Sequence, residues 1–229
     1  MTGELILLVE DDPDLRELVS LTLSSAGYRA VTAEDGASAL DLFHARSPDL
    51  VLLDIALGPD SIDGLEVCRR IRRSSETPVV FLTSHGDDID EIIGFSTGAD
   101  DYLTKPVNHR VLLARIAAIM RRRHTASDSP APTQLVHDGL TVDLAGRSVH
   151  VHGTPVDLTR IQFDLLASLA EQPRRVLTRE QLVERVWGGW FGTDHHLDVH
   201  LSRLRQRISQ AGGPRVAHAV RGVGFRFTE

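Results

Sequence analysis

The sequence predicts two domains: an α/β domain built on a doubly wound parallel five-stranded sheet, followed by an α+β domain. Three observations carry this prediction. Before residue 120, five short apolar runs alternate with amphipathic stretches, the pattern of a parallel sheet covered by helices on both faces. From Arg121 to Thr133 the chain lacks large apolar residues and is rich in Ser, Pro and Ala, as an exposed linker is. Beyond it come segments of period two with turn signals, then helical ones. The expected boundaries are 1–121, a linker 122–133, and 134–229.

The strand-length runs are Leu5–Val9, Tyr28–Thr32, Leu50–Leu53, Val79–Leu82 and Tyr102–Leu103. A first helix opens after Asp12 with Pro13 in its first turn, buries Leu15, Leu18, Leu21 and Ala26, and stops at Gly27. Another spans about Asp87–Thr97 and stops at Gly98. The last starts from Asn108, a good N-cap, and runs to about Arg123. In the second half, residues 135–159 form a small antiparallel sheet with turns at Asp138-Gly139, Ala145-Gly146 and Gly153. Helices follow at Thr159–Ala170 and Thr178–Trp187, the latter opened by a capping box of Thr178 and Gln181. In His195–Gln210, Leu197, Leu201, Leu204 and Ile208 recur at intervals of four, three and four and must face a core.

Composition bounds the function. Hydrophobic residues make up 41% and charged residues 25%, the proportions of a globular protein. No apolar run approaches the roughly 20 residues needed to cross a bilayer, and no basic-apolar leader opens the chain, so no membrane partner is expected. Cys68 is the lone cysteine and suits a reducing, cytoplasmic setting. Residues 1–120 hold 21 acidic and 10 basic side chains, whereas residues 121–229 hold 11 and 15. An acidic half joined to a basic half points to separate tasks, the second compatible with nucleic acid binding.

Ligands of a doubly wound sheet bind beyond the carboxyl ends of its strands. Those ends carry Glu10, Asp11 and Asp12 after the first strand, Asp54 after the third, Thr83 and Ser84 after the fourth, and Lys105 after the fifth. Lys105 is the single lysine beside 24 arginines, which marks a place where a compact ammonium serves and a planar guanidinium does not. Clustered carboxylates repel one another unless a cation lies among them, and oxygen-only donors suit Mg²⁺. Asp54, ending an apolar strand, is the candidate nucleophile for a phosphoryl group. Lys105 and Thr83 are placed to meet the phosphoryl oxygens. Asp12, followed by Pro13, is read as a helix cap instead.

Val9-Glu-Asp-Asp-Pro13, Leu53-Asp54, Leu82-Thr83 and Gly98-Ala-Asp-Asp-Tyr-Leu-Thr-Lys-Pro106 resemble the receiver domain of two-component response regulators. Leu197-Asp-Val-His-Leu-Ser-Arg-Leu-Arg205 and Val220-Arg-Gly-Val-Gly-Phe-Arg-Phe227 resemble the winged-helix effector of the OmpR/PhoB subfamily. The resemblance spans nearly the whole chain except the linker. It implies that Asp54 accepts a phosphoryl group from a sensor histidine kinase, and that Glu10, Asp11, Asp54 and the Ala56 carbonyl surround Mg²⁺. It further implies that Thr83 and Tyr102 form a switch pair, that Lys105 binds the phosphoryl group, and that Lys105-Pro106 is a cis bond. Asp100 and Asp101 with Arg115 and Arg122 resemble inter-subunit partners on the dimer face of the subfamily.

The chain departs from the pattern in places. Glu91 and Val111 stand where the subfamily carries a basic and an acidic residue, so that inter-subunit pair cannot form. The segment between Leu57 and Gly64 is about two residues longer than usual, and Val107 replaces the usual phenylalanine.

On the helix His195–Gln210, the face opposite the core stripe presents His195, His196, Val199, Ser202, Arg203 and Gln206. Arg203 is the expected base-reading side chain, with His195 and Ser202 towards the DNA backbone and Val199 suited to a thymine methyl. Arg221 is expected at the tip of a short hairpin, the wing, over the minor groove. The loop at Gly188–Gly192 corresponds to one that can meet RNA polymerase in the subfamily.

The expectation is a phosphorylation-activated regulator, not an enzyme, that dimerises through its receiver and binds promoter DNA at direct repeats about one helical turn apart. A phosphatase of the aspartate-nucleophile kind is excluded, because it needs a second Asp where Ala56 stands. The alternative is a phosphorylation-independent DNA-binding protein that uses its receiver only for dimerisation.

Overall fold

The computed structural model describes residues 3–58, 62–84, 98–125, 134–187 and 195–228, with backbone alone for residues 121–125, 195 and 196. The chain divides into two compact units, Met1–Met120 and Arg121–Glu229. The expected helix at Asp87–Thr97, Glu91, the loop 188–194 and residues 126–133 of the expected linker lie outside the described residues.

In the first unit, β1 (Leu5–Val9), β2 (Arg29–Ala33), β3 (Leu50–Asp54), β4 (Val79–Thr83) and β5 (Asp101–Thr104) form one sheet in the order β2-β1-β3-β4-β5. Every pairing is parallel. The chain winds one way from β1 to β2 and the other way from β3 to β5. The crevice between the ends of β1 and β3 is therefore the place such a sheet offers to a ligand. Alternation along the strands feeds two cores: Ile6, Leu8, Leu50, Leu52, Val80 and Leu82 face one side, and Leu7, Val9, Val51, Leu53, Val79 and Phe81 the other. All five residues of β3 and of β4 are buried, as central parallel strands require.

Among the described residues, four helices belong to this unit: α1 (Pro13–Ser25), α2 (Gly36–Arg46), α3 (Gly64–Arg72) and α4 (His109–Thr125). Their starts follow the capping chemistry expected at such positions. Asp12 accepts from the Asp14 and Leu15 amides, Asp35 from Ser38, Asp63 from Glu66, and Asn108 from Arg110 and Val111. Gly27 ends α1 at φ +89°, a conformation open to glycine.

The buried side of α1 corrects the sequence expectation. Val19 and Leu23 are fully buried and Leu15 partly so, whereas Leu18 and Leu21 are 49% and 61% exposed and Ala26 is exposed. Leu15, Val19 and Leu23 recur every four residues along one side, while Leu21 lies about 200° around the helix from Val19. The spacing of three that selected Leu18 and Leu21 drifts off that side. At the other end of the unit, α4 continues to Thr125, into the stretch expected as linker.

In the second unit, β6 (Gln134–His137), β7 (Leu140–Asp143), β8 (Ser148–Val151) and β9 (Thr154–Pro155) form an antiparallel meander. Then come α5 (Arg160–Ala170), α6 (Arg179–Trp187), α7 (His195–Gln210) and the hairpin β10 (His218–Val220) and β11 (Gly224–Arg226). Both short helices open with capping boxes, Thr159 with Gln162 and Thr178 with Gln181. Leu197, Leu201, Leu204 and Ile208 are all buried in one core with Leu165, Leu182, Val186 and Phe225. The hairpin is anchored where Leu177 and Phe225 exchange backbone hydrogen bonds of 2.8 Å. A Cβ on Gly224 would lie 2.0 Å from the Leu177 carbonyl oxygen, so only glycine permits this approach.

Candidate functional site

The strand ends bring Glu10, Asp11, Asp54, Thr83 and Lys105 to one crevice. The Lys105 ammonium donates to Glu10 Oε1 at 2.8 Å and to Asp54 Oδ2 at 2.7 Å. It thus links the ends of β5, β1 and β3 by a single compact charge, the role that set it apart from the arginines. The Lys105 amide donates to the Thr83 carbonyl at 2.7 Å, which ties the end of β5 to that of β4. The Lys105-Pro106 bond is cis, as expected.

Glu10 is fully buried, Asp54 and Thr83 are 3% exposed, and Asp11 is exposed at the mouth. Burial, opposed by the Lys105 hydrogen bond and reinforced by the Asp54 charge, raises the Glu10 carboxyl to about 7. Burial works to lower the Lys105 pKa, yet hydrogen bonds to Asp54 and Glu10 outweigh it and hold the ammonium above its usual value.

Carboxylate oxygens of Glu10, Asp11 and Asp54 lie within 4.8 Å of one another. Glu10 Oε2 is buried and has no hydrogen-bond partner among the described residues. A buried carboxylate oxygen without a donor, beside two further carboxylates, is a donor set for a hard divalent cation. The residues fit such an ion. Ala56, whose carbonyl was expected to complete the set, is exposed and donates its amide to Asp54 Oδ1 at 3.3 Å. Leu57 is buried, which anchors the start of the lengthened loop, and residues 59–61 lie outside the described residues.

Tyr102 is half-buried against the core that holds Leu53 and Phe81. Asp100, Asp101 and Arg115 are buried and engaged within the chain. Asp100 Oδ2 accepts from Arg72 Nη2 at 2.7 Å and from the Val79 amide at 2.9 Å, and Asp101 pairs with Arg115. Of the residues expected on a dimer face, these three make intrachain contacts in the isolated protein, and the Arg122 side chain lies outside the described residues.

Sequence reasoning missed two arginines. Arg72 bonds the carbonyls of Gly98 and Thr77 as well as Asp100. Arg16 bonds the carbonyls of Glu10 and Asp11. The only local signal for Arg16 was a long cation one helical turn beyond the acidic loop.

On α7 the structure separates the arginines. Arg205 donates twice to the Ala217 carbonyl, and Arg207 to the Asp157 carbonyl. Arg203 makes no hydrogen bond or ion pair with any described residue, although half-buried; burial and then the nearby Arg207 charge work against its own charge. Ser202 and Gln206 are exposed beside it and Val199 is half-buried, while the His195 side chain lies outside the described residues. Asp198, in the first turn, is held by both Arg179 Nη atoms at 2.9 Å. Arg221 is exposed in the turn between β10 and β11, next to Gly222 at φ +71° and to Val223, which is 53% exposed.

Residues 6–117 match the response regulator receiver domain, and residues 153–227 match the family described as transcriptional regulatory protein, C terminal. Across 98% of this chain and 97% of its own length, the response regulator MprA of Mycobacterium sp. strain KMS is 42% identical. The transcriptional regulatory protein CseB of Streptomyces avermitilis is 40% identical over 97% of each chain. A solved structure of the RitR mutant C128D superposes with a TM-score of 0.77 at 31% identity, covering 99% of this chain and all of that one. The response regulator DrrB of Thermotoga maritima, an OmpR/PhoB homologue, is 33% identical over the same shares, with a TM-score of 0.52. With a receiver sheet carrying the acidic crevice and a winged helix following it, the chain belongs to the two-component response regulators of the OmpR/PhoB type, DNA-binding regulators of transcription.

Proposed function

We propose that Asp54 accepts a phosphoryl group from a sensor histidine kinase in the cytoplasm, and that this favours a receiver dimer which binds promoter DNA at direct repeats. The observation that carries the reading is Lys105, whose ammonium lies 2.7 Å from Asp54 and 2.8 Å from Glu10 at the switch point of the sheet. Glu10, Asp11 and Asp54, with the Ala56 carbonyl, would hold Mg²⁺, whose charge offsets that of the phosphoryl oxygens.

The chain's own groups do the rest. Asp54 presents a side-chain oxygen to the phosphorus, and Lys105 stays protonated to meet the oxygens that arrive. The β4 end supplies the Thr83 hydroxyl and β5 the Tyr102 ring, whose coupled shift carries the signal to the face that contains Asp101 and Arg115. On that face, Asp100, Asp101, Arg115 and Arg122 exchange their partners between two copies on dimerisation. Two linked effectors bind DNA more tightly than one because the second binding event becomes intramolecular. Arg203 reads a base edge and Arg221 enters the minor groove.

The intact mass of the protein after incubation with Mg²⁺ and a small phosphoryl donor tests the chemistry. One added phosphoryl on wild type and none on Asp54→Asn is the expected result. No adduct on either protein supports the phosphorylation-independent alternative instead.

A further inference from the structure

We propose that Arg16 is a positioning residue for the metal-binding carboxylates, acting through the main chain of Glu10 and Asp11; this rests on the reading of the crevice as a site of Mg²⁺-dependent phosphoryl transfer. Glu10 and Asp11 occupy the short gap between the last paired residue of β1, Val9, and the cap of α1, Asp12. The Glu10 amide still joins the ladder to β2 through the Ala33 carbonyl, but neither a sheet ladder nor the regular bonding of a helix engages the carbonyls of Glu10 and Asp11. Three consecutive carboxylates repel one another across this gap.

Arg16 supplies the missing restraint. Its main chain is fixed in the first turn of α1, where its amide donates to the Asp12 carbonyl at 2.9 Å. From there the side chain reaches back, and Nη1 donates to the Glu10 carbonyl at 2.6 Å and to the Asp11 carbonyl at 3.1 Å. The Glu10 amide is tied from the other side to the Ala33 carbonyl at 3.1 Å. Both main-chain groups of Glu10 are therefore engaged, and its side chain enters the crevice from a fixed base, with Oε2 buried and without a partner among the described residues. One guanidinium nitrogen bridging two successive carbonyls also places Asp11 relative to Glu10, which sets the spacing of two of the three carboxylate donors.

An ordinary surface arginine would be solvated, yet the Arg16 side chain is only 20% exposed. Its charged neighbour Glu34 is 3.7 Å away and 73% exposed, a pair that contributes little. The role therefore lies with the carbonyls and not with the ion pair. Groups that orient metal ligands typically change metal affinity by about 10- to 100-fold when removed.

The test titrates Mn²⁺ by electron paramagnetic resonance into the full-length wild type, Arg16→Met, Arg16→Lys and Glu34→Gln. It also measures the Mg²⁺ dependence of phosphorylation by a small donor. Arg16→Met keeps the apolar stem and removes only the donors, and Arg16→Gln replaces it should the Met variant not fold. The Met variant is expected to bind Mn²⁺ about tenfold more weakly and to need about tenfold more Mg²⁺ for half-maximal rate, with the rate at saturating Mg²⁺ within about twofold of wild type. Arg16→Lys, which retains a donor nitrogen, recovers most of the affinity, and Glu34→Gln leaves it unchanged. Undiminished Mn²⁺ affinity in the Met variant, or a Lys variant as weak as Met, overturns the proposal. Loss of rate at saturating Mg²⁺ with an unaltered Mg²⁺ requirement overturns it too. A wild type that neither binds Mn²⁺ nor takes a phosphoryl group removes the reading of the crevice itself, and the proposal falls with it.

Discussion

The crevice of the receiver and the outer face of α7 both depend on a cation, and they treat it in opposite ways. Lys105 lies between two buried carboxylates of the same chain. Among the described residues Arg203 makes no such pair, while its neighbours Arg205 and Arg207 are bound to main-chain carbonyls. In the proposed phosphoryl site the charges are assembled in advance, because those that meet a small, dense anion must be held in place before it arrives. The proposed DNA contact at Arg203 needs no counter-charge from the chain, because the polyanion supplies it and releases its own counterions. Position within the fold, and not residue type, decides which cations are structural and which are available.

The sharpest way to break this comparison is at the nucleophile. Asp54→Asn is expected to abolish phosphoryl uptake entirely, as read by intact mass, while the affinity of the unphosphorylated full-length protein for DNA is unaffected. Next in size is the contrast on α7. Arg203→Ala is expected to weaken specific DNA binding by about 1–3 kcal/mol and to relax preference at one base position, measured by binding to a set of single-base variants. Arg205→Ala should instead lower the melting temperature of the protein, since it removes bonds to the Ala217 carbonyl that join α7 to the strand-side core. Equal effects of both substitutions on base preference would erase the distinction between the two arginines.

A third prediction concerns pH. The Glu10 carboxyl is raised from 4.5 to about 7, so the folded, metal-free protein binds its proton more tightly than the unfolded chain does. That contribution to stability is complete below about pH 4.5 and is lost as pH rises through about 7. Metal-free receiver stability, followed by urea denaturation, is therefore expected to fall across this window, and stabilisation by added Mg²⁺ to grow across it. Glu10→Gln should flatten both trends. The smallest effect is expected at the exposed pair of Arg179 and Asp198: Asp198→Asn should change stability by less than ~1 kcal/mol despite its two-pronged geometry.

The order of elements was legible in the sequence because it depends on local signals. The five strands fall within a residue or two of the expected runs, and the core stripe of α7 is buried at all four expected positions. The crevice was legible for the same reason: a doubly wound sheet sends every strand end to one rim, so Glu10, Asp54, Thr83 and Lys105 converge once the strands are placed. On α1 the sequence misled, because a spacing of three picks leucines that drift around the helix, and the sheet against which α1 packs selects Val19 and Leu23.

By itself, then, the sequence determined the order of the strands and which polar groups end each of them, since periodicity, caps and turn residues act over a few positions. Only the tertiary structure decided which long side chains are consumed by it. Arg72 meets Asp100 across 28 positions, Arg207 meets the Asp157 carbonyl across 50, and Lys105 meets Glu10 across 95. An arginine's reach carries no periodicity of its own, so which carbonyls and carboxylates it meets is settled by what the fold brings beside it.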